Sequence, residues 1–302
     1  MDDFVDKILS DVDNQNFGDY LVAVDTANGM VGPTLKAIED KLGKTKLIPM
    51  YWEVDGTFPN HPADPINPDN LKDLIAVIKR ENADLGLAFD GDADRVYLVD
   101  NEGNTVSASL TTAMVAKAML TTKGKGPIVH NVVCSWIVPE TIQKYEGEPV
   151  ETKVGHSIIK PIMREKDALF GGEHSGHYYF KDLYYADSGL LASLYVMKLM
   201  SEQEQTAVEA LAEFRKYYAI PETNTPVKDK EKVLKRIEEA FKNNPDVVSY
   251  KDFDGIRVDF TDWWFNVRPS NTEPLLRLNL EAKSPELMKK KKTEIQQLIA
   301  GT

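Results

Sequence analysis

Residues 85–100 read Leu85-Gly-Leu-Ala-Phe-Asp-Gly-Asp-Ala-Asp-Arg-Val-Tyr-Leu-Val-Asp100: an apolar run, an acidic loop and a second apolar run. The runs predict two strands, and the loop predicts a metal site at their junction. Alternation in an extended loop sends Asp90, Asp92 and Asp94 the same way. Three such carboxylates repel one another, and a bound cation removes that repulsion. Oxygen-only ligands favour Mg²⁺ or Ca²⁺ over zinc. Arg95 adds a fixed positive charge that suits a phosphoryl group in transfer. The loop is not an EF-hand, which needs Gly sixth and Glu twelfth; counted from Asp90, those places hold Arg95 and Asn101.

Working outward, residues 4–12 carry helical spacing and Tyr20–Val24 reads as a buried strand ending in the turn Asp25-Thr-Ala-Asn-Gly29. Pro33 suits the start of a helix to Leu42, and Leu47–Trp52 is a second strand. The proline-rich loop 58–68 is held extended, and a helix at 69–82 leads into the strand before the metal loop. Strand–helix–strand repetition predicts a mainly parallel α/β sheet with ligands at strand C-terminal ends. A second unit starts near Ser107. It has helices at 107–121, 138–145 and 157–166, strands at 127–133, near 152 and at 168–171, and long amphipathic helices at 186–200 and 203–217. Pro221–Pro226 reads as a hinge. The last unit combines a helix at 229–243, a strand pair within 247–267, a strand at 275–282 and a lysine-rich helix from Pro285. The expected fold class is α/β: two doubly wound α/β domains followed by a small two-layer α+β domain.

The 302 residues are globular in composition, with 42% hydrophobic and 28% charged residues. A net charge of −12 argues against a general nucleic-acid role, so any anionic ligand needs a local basic pocket. The single cysteine, Cys134, excludes an internal disulfide and fits a reducing compartment. The longest apolar candidate, Leu190–Met200, is short and carries Lys198, and the N-terminus lacks signal-peptide features. The expected setting is the cytosol.

Two more loops carry chemistry. Gly171-Gly-Glu-His-Ser-Gly-His177 follows a strand. Glu173 can accept from a sugar diol, Ser175 can adapt to it, and His174 and His177 can donate to phosphate or move a proton. Arg268-Pro-Ser-Asn-Thr-Glu273 offers a guanidinium fork, with Ser270, Asn271 and Thr272 as neutral donors, a nest for a phosphate dianion. Arg277 is placed to support that loop. Lys153, His156 and Lys160 cluster at a strand-to-helix turn; Lys153 and His156 can face one pocket, and helix register can leave Lys160 in solvent. His61 and His130 read as structural, with no chemical group around them in sequence.

Taken in order, the loops 90–95, 172–177 and 268–273 resemble the α-D-phosphohexomutase family. So do Val24-Asp-Thr-Ala-Asn-Gly29 and Thr152-Lys-Val-Gly-His-Ser157, and Gly172–Phe180 looks most like its phosphomannomutase/phosphoglucomutase branch. The family has four domains around a cleft. The resemblance implies that residues 1–106 are its domain 2 with the metal loop, 107–220 its domain 3 with the sugar loop, and 221–302 its domain 4 with the phosphate loop. It also implies a Mg²⁺ enzyme that interconverts hexose 1-phosphate and hexose 6-phosphate through a 1,6-bisphosphate. Asp90, Asp92 and Asp94 would hold Mg²⁺ beside Arg95. Glu173 and Ser175 would read sugar hydroxyls. Arg268, Ser270, Asn271 and Thr272 would grip the idle phosphate, and Lys153, His156 and His177 would complete the pocket. The family's phosphoserine lies in a Thr-Ala-Ser-His-Asn-Pro-like motif of domain 1, which these 302 residues do not contain. The expected partners are hexose phosphates and a separate phosphoserine domain or self-association. Val133 stands where many members carry a Lys or Arg implicated in proton transfer. A non-catalytic phosphosugar-binding protein is the alternative.

Overall fold

The computed structural model describes residues 1–12, 17–270 and 273–301. It divides into two compact units, Met1–Arg215 and Lys216–Thr302.

The first unit opens with α1 (Asp2–Asp11), β1 (Leu21–Asp25), α2 (Val31–Ile38), β2 (Lys46–Met50) and α3 (Lys72–Glu81). Then come β3 (Leu85–Phe89), β4 (Val96–Asp100) and β5 (Thr105–Val106). They form one sheet of order β2-β1-β3-β4-β5. The apolar face of α3, with Leu74, Val77 and Ile78, packs on Ala23, Ala88 and Val99 of the sheet. The left-handed Asn82 closes α3 just before β3 begins.

The same plan is then repeated. α4 (Ala108–Thr122), β6 (Pro127–Asn131), α5 (Ile137–Lys144), β7 (Glu148–Thr152) and α6 (His156–Glu165) lead to β8 (Phe170–Gly172), β9 (Tyr178–Phe180) and β10 (Ala186–Asp187). Their order is β10-β9-β8-β6-β7. In each sheet the first strand lies between two parallel neighbours, and the last two strands run antiparallel. Both sheets are therefore mixed rather than mainly parallel, because each ends in a hairpin and a short return strand. α7 (Gly189–Gln203) and α8 (Ala207–Ala212) complete the unit. α4 packs on β8 and β4, and α7 packs on α4 and β4, so these two helices join the sheets.

The second unit holds β11 (Tyr218–Ala219), β12 (Thr223–Pro226), α9 (Lys230–Phe241), β13 (Ser249–Lys251), β14 (Ile256–Asp259), β15 (Trp263–Pro269), β16 (Leu275–Ala282) and α10 (Pro285–Ala300). Its sheet is antiparallel, of order β11-β16-β15-β14-β13, with β12 also on β16. Ile237, Val258, Phe265, Leu278, Ile295 and Ile299 form the core between sheet and helices. This is the two-layer arrangement the sequence predicts.

Three further expectations change. The proposed hinge is partly strand, since Thr223–Pro226 pairs with Leu275–Leu278. The helix expected over 203–217 is only Ala207–Ala212, because Glu204 turns left-handed and a Thr206–Glu209 capping box starts a new helix. α7 is not amphipathic: every residue from Gly189 to Met197 is buried, as befits a helix shared by two layers. Among the described residues, no helix is long and apolar enough to cross a membrane.

Candidate active site

The metal loop is the β3–β4 connection. It is bent rather than extended, with Ala93 at φ 66°. Oxygens of Asp90, Asp92 and Asp94 nevertheless lie within 4.8 Å of one another. Their convergence comes from the turn and not from strand alternation. The 26–29 turn packs directly beneath: a Cβ on Gly29 would meet the Gly91 carbonyl oxygen at 2.8 Å, so only glycine fits there.

Charge is distributed unevenly over the trio. Asp90 is 2% exposed, and its two oxygens accept from Arg95 Nε at 2.6 Å and Arg95 N at 3.2 Å. Burial pushes its carboxyl up to about 6 even against the Arg95 charge. Asp94 is drawn down to about 2, chiefly by its hydrogen bond with His177. Asp92 is exposed. Arg95, expected as a fixed positive charge beside the metal, is also the clamp on Asp90. Asp94 Oδ1 is buried and makes no hydrogen bond among the described residues, although Arg95 Nε lies 3.5 Å from it. A buried carboxylate oxygen met only by that long ion pair, beside two more carboxylates, fits a hard divalent cation. The acidic group can hold a metal.

The sugar loop is the β8–β9 connection, the counterpart of the metal loop in the repeated plan. The two loops meet through an antiparallel bridge between Arg95 and His177. His177 Nε2 lies 3.5 Å from Asp94 Oδ2, and its Nδ1 shares a 2.9 Å hydrogen bond with Ser175 Oγ. Burial alone would push the His177 imidazole down, but Asp94 outweighs it and holds the pKa above the ordinary value. Gly176, at φ 86°, packs against Tyr97, where a Cβ would meet the ring at 2.6 Å.

Glu173 is 2% exposed. Its Oε1 accepts from Tyr179 Oη at 2.5 Å, and its Oε2 accepts from Asn131 Nδ2 at 3.3 Å and Gly155 N at 3.1 Å. That last bond ties the 153–156 turn to the sugar loop, bringing Lys153 and His156, both exposed, into the same neighbourhood. Lys160 is not left in solvent: it pairs with Asp187 at 2.9 Å and sits over the Tyr179 ring. His174 is half-buried, and Val133 is 2% exposed.

In the second unit, Arg268 and Ser270 close β15. Ser270 Oγ accepts from Glu273 N at 3.3 Å. Lys230 Nζ braces the turn by donating to the carbonyls of Ser270 (2.8 Å) and Glu273 (3.2 Å). Arg268 Nη2 donates to Glu222 at 3.1 Å. Arg277, read as a support, also binds Glu222. Asn271 and Thr272 lie outside the described residues.

Sequence reasoning missed Tyr179, which acts on Glu173 from the far side of its own hairpin, and Asn131, Asp187, Lys230 and Glu222, which act from more distant positions. It also read His61 as lacking chemical neighbours. His61 Nε2 lies 3.0 Å from Asp25 Oδ2, a carboxylate 1% exposed.

Comparison with known proteins matches this layout. The family descriptions "Phosphoglucomutase/phosphomannomutase, alpha/beta/alpha domain II" and "domain III" fit residues 2–103 and 103–218, and that of the family's C-terminal domain fits 222–298. The fold and loops are those of a sugar-phosphate mutase class built from α/β/α layers. The chain belongs to the phosphoglucomutase/phosphomannomutase family of α-D-phosphohexomutases. It is 43% identical to a phosphomannomutase of Methanocaldococcus jannaschii over 93% of this chain and 62% of that protein. It is 38% identical to a phosphomannomutase/phosphoglucomutase of Pseudomonas aeruginosa over 90% of this chain and 59% of that protein. A crystal structure of a family protein from Burkholderia thailandensis superposes with a TM-score of 0.89 at 28% identity, covering 99% of this chain and 64% of that one. The chain thus spans about three fifths of the length of the curated relatives it matches.

Proposed function

We propose that this chain supplies the metal, sugar and phosphate loops of a phosphohexomutase, which interconverts hexose 1-phosphate and hexose 6-phosphate through a 1,6-bisphosphate. The observation that carries this reading is the joining of the metal and sugar loops by the Arg95–His177 bridge and the Asp94–His177 contact. It sets an acidic metal seat beside a sugar-reading carboxylate and a proton-carrying imidazole. Three domains, divided as 1–106, 107–220 and 221–302, accord with the three sheets and the family matches over 2–103, 103–218 and 222–298, with β11 (Tyr218–Ala219) belonging to the third sheet.

Asp90, Asp92 and Asp94 would hold Mg²⁺, which when bound would neutralise charge on the phosphoryl donor. Arg95 keeps Asp90 ionised and oriented. Glu173, fixed by Tyr179, Asn131 and Gly155, keeps one lone-pair site for a sugar hydroxyl, with Ser175 beside it. His177 holds a proton between Asp94 and Ser175 and is placed to move it to or from a substrate oxygen. Lys153 adds positive charge and His156 a ring N–H donor at the pocket edge. Arg268 and Ser270, with Asn271 and Thr272, grip the phosphate that does not react. The serine donor would come from a phosphoserine unit other than these residues, on the same or another polypeptide. Cys134, buried and in no disulfide, accords with a reducing, cytosolic setting.

The test mixes the purified chain with Mg²⁺, glucose 1,6-bisphosphate and a phosphoserine domain from a family member, then follows glucose 1-phosphate to glucose 6-phosphate. Turnover that needs both components is expected. Binding of glucose 1-phosphate without turnover, over several such domains, would leave the chain a phosphosugar-binding protein.

A further inference from the structure

Two arginines face each other in the second unit. The β15–β16 register sets Arg268 directly opposite Arg277. Like charges so placed repel. Glu222, one residue ahead of β12, answers both. Its Oε2 accepts from Arg268 Nη2 at 3.1 Å and Asn279 Nδ2 at 3.0 Å, and its Oε1 accepts from Arg277 Nη1 at 3.1 Å. The side chains of Glu222 and Arg268 are 22% and 14% exposed, so water screens them poorly. Among these three side chains one carboxylate faces two guanidiniums, an excess of one positive charge, while Lys230 and Glu273 at the same turn add one charge of each sign. The Nε atoms of Arg268 and Arg277 are buried and make no hydrogen bond among the described residues.

We infer that Glu222 sets the strength of the phosphate seat: it fixes the Arg268 fork and holds down its positive field, so that a sugar phosphate is gripped and then released. The inference rests on the reading of Arg268 as the phosphate ligand. Glu222 does not touch the phosphate; it is a positioning residue. Release matters because a bisphosphate intermediate must leave this seat and return reversed before the second transfer.

The experiment is calorimetric titration of the full chain with glucose 1-phosphate at low and moderate salt, after thermal melts confirm that each variant folds. Glu222→Gln keeps the shape and removes one negative charge. It is expected to bind about fivefold tighter, with a steeper loss of affinity as salt rises. A purely structural role predicts the opposite sign, so weaker or unchanged binding by folded Glu222→Gln overturns the inference. Arg277→Gln reads the same balance from the other side and serves if Glu222→Gln does not fold. It leaves Glu222 to Arg268 alone and should bind about fivefold more weakly, and unchanged or tighter binding overturns the inference. Arg268→Gln tests the underlying reading separately. Undiminished affinity there, or no binding by the unaltered chain, removes the phosphate reading itself.

Discussion

Glu173 is committed to one orientation before any ligand arrives. Three donors from three segments hold it, and the Tyr179 hydroxyl is the only one contributed by a side chain of its own hairpin. A hydrogen bond to a buried carboxylate is worth about 1.5–3 kcal/mol. Tyr179→Phe should lower stability by that amount in urea titrations, with the far-ultraviolet spectrum unchanged. Stability within error of the parent would mean the hydroxyl does not carry the carboxylate. The carboxylate itself was legible in the sequence, because Glu between glycines after a strand invites a ligand. Its holder was not: Tyr179 reaches it only because the hairpin folds back, and residue spacing does not encode which partners a closed hairpin brings together. The Asp25–His61 pair was hidden for the same reason, since 36 residues separate partners 3.0 Å apart.

Helix α7 begins hard against the metal loop. Gly189 N donates to Ala93 O at 3.1 Å, and a Cβ there would meet the Arg95 carbonyl carbon at 2.6 Å. Alanine normally favours a helix by about 1 kcal/mol over glycine. At Gly189 the clash is with backbone that cannot step aside, so Gly189→Ala should destabilise by about 1–3 kcal/mol and weaken divalent-cation binding. Gly56→Ala, with open space around the new methyl, serves as the control and should leave both unchanged. The β4–β5 turn is held differently. Asp100 is fully buried and accepts from Arg215 Nη2, Asn104 and Glu102 N. Burial pushes its carboxyl up, but the bonds from Arg215 and Asn104 outweigh this and hold it below the ordinary 3.8. The stabilisation is complete above that value and is lost as pH falls through the lower folded one. Asp100→Asn should therefore cost about 3 kcal/mol at neutral pH and flatten the stability profile below about pH 4. An acid limb identical to the parent's would sink this account. Of the elements, the strands flanking the metal loop were plain from their apolar runs. The true length of α7 was not, because its burial on all sides erases the helical stripe that marks a surface helix.

Two separately packed units should unfold as two events. Magnesium should raise the midpoint of the Met1–Arg215 transition alone, and the Asp92→Asn, Asp94→Asn double variant should lose that rise; differential scanning calorimetry reads both. A shift of the Lys216–Thr302 transition, or one that survives the double variant, would place the cation elsewhere. The first unit also exposes Met30, Val54, Phe58 and Ile66 at 59%, 49%, 36% and 49%. Met30 stands at the α2 entrance, Val54 follows β2, and Phe58 and Ile66 belong to the proline-rich loop; Phe58 lies 3.4 Å from a Cβ built on Gly91 of the metal loop. Sedimentation velocity should show association that grows with concentration and falls when Phe58 and Ile66 become serine. At this scale the sequence showed strand–helix alternation and a final α+β segment, yet concealed that the first two sheets share one wiring. That shared wiring has a consequence for heredity. The metal corner and the sugar corner occupy the same address in twin layouts, so they are sister parts that have taken up different trades while pressed against each other. Because His177 of one corner holds Asp94 of the other, a substitution at either residue alters the setting of both.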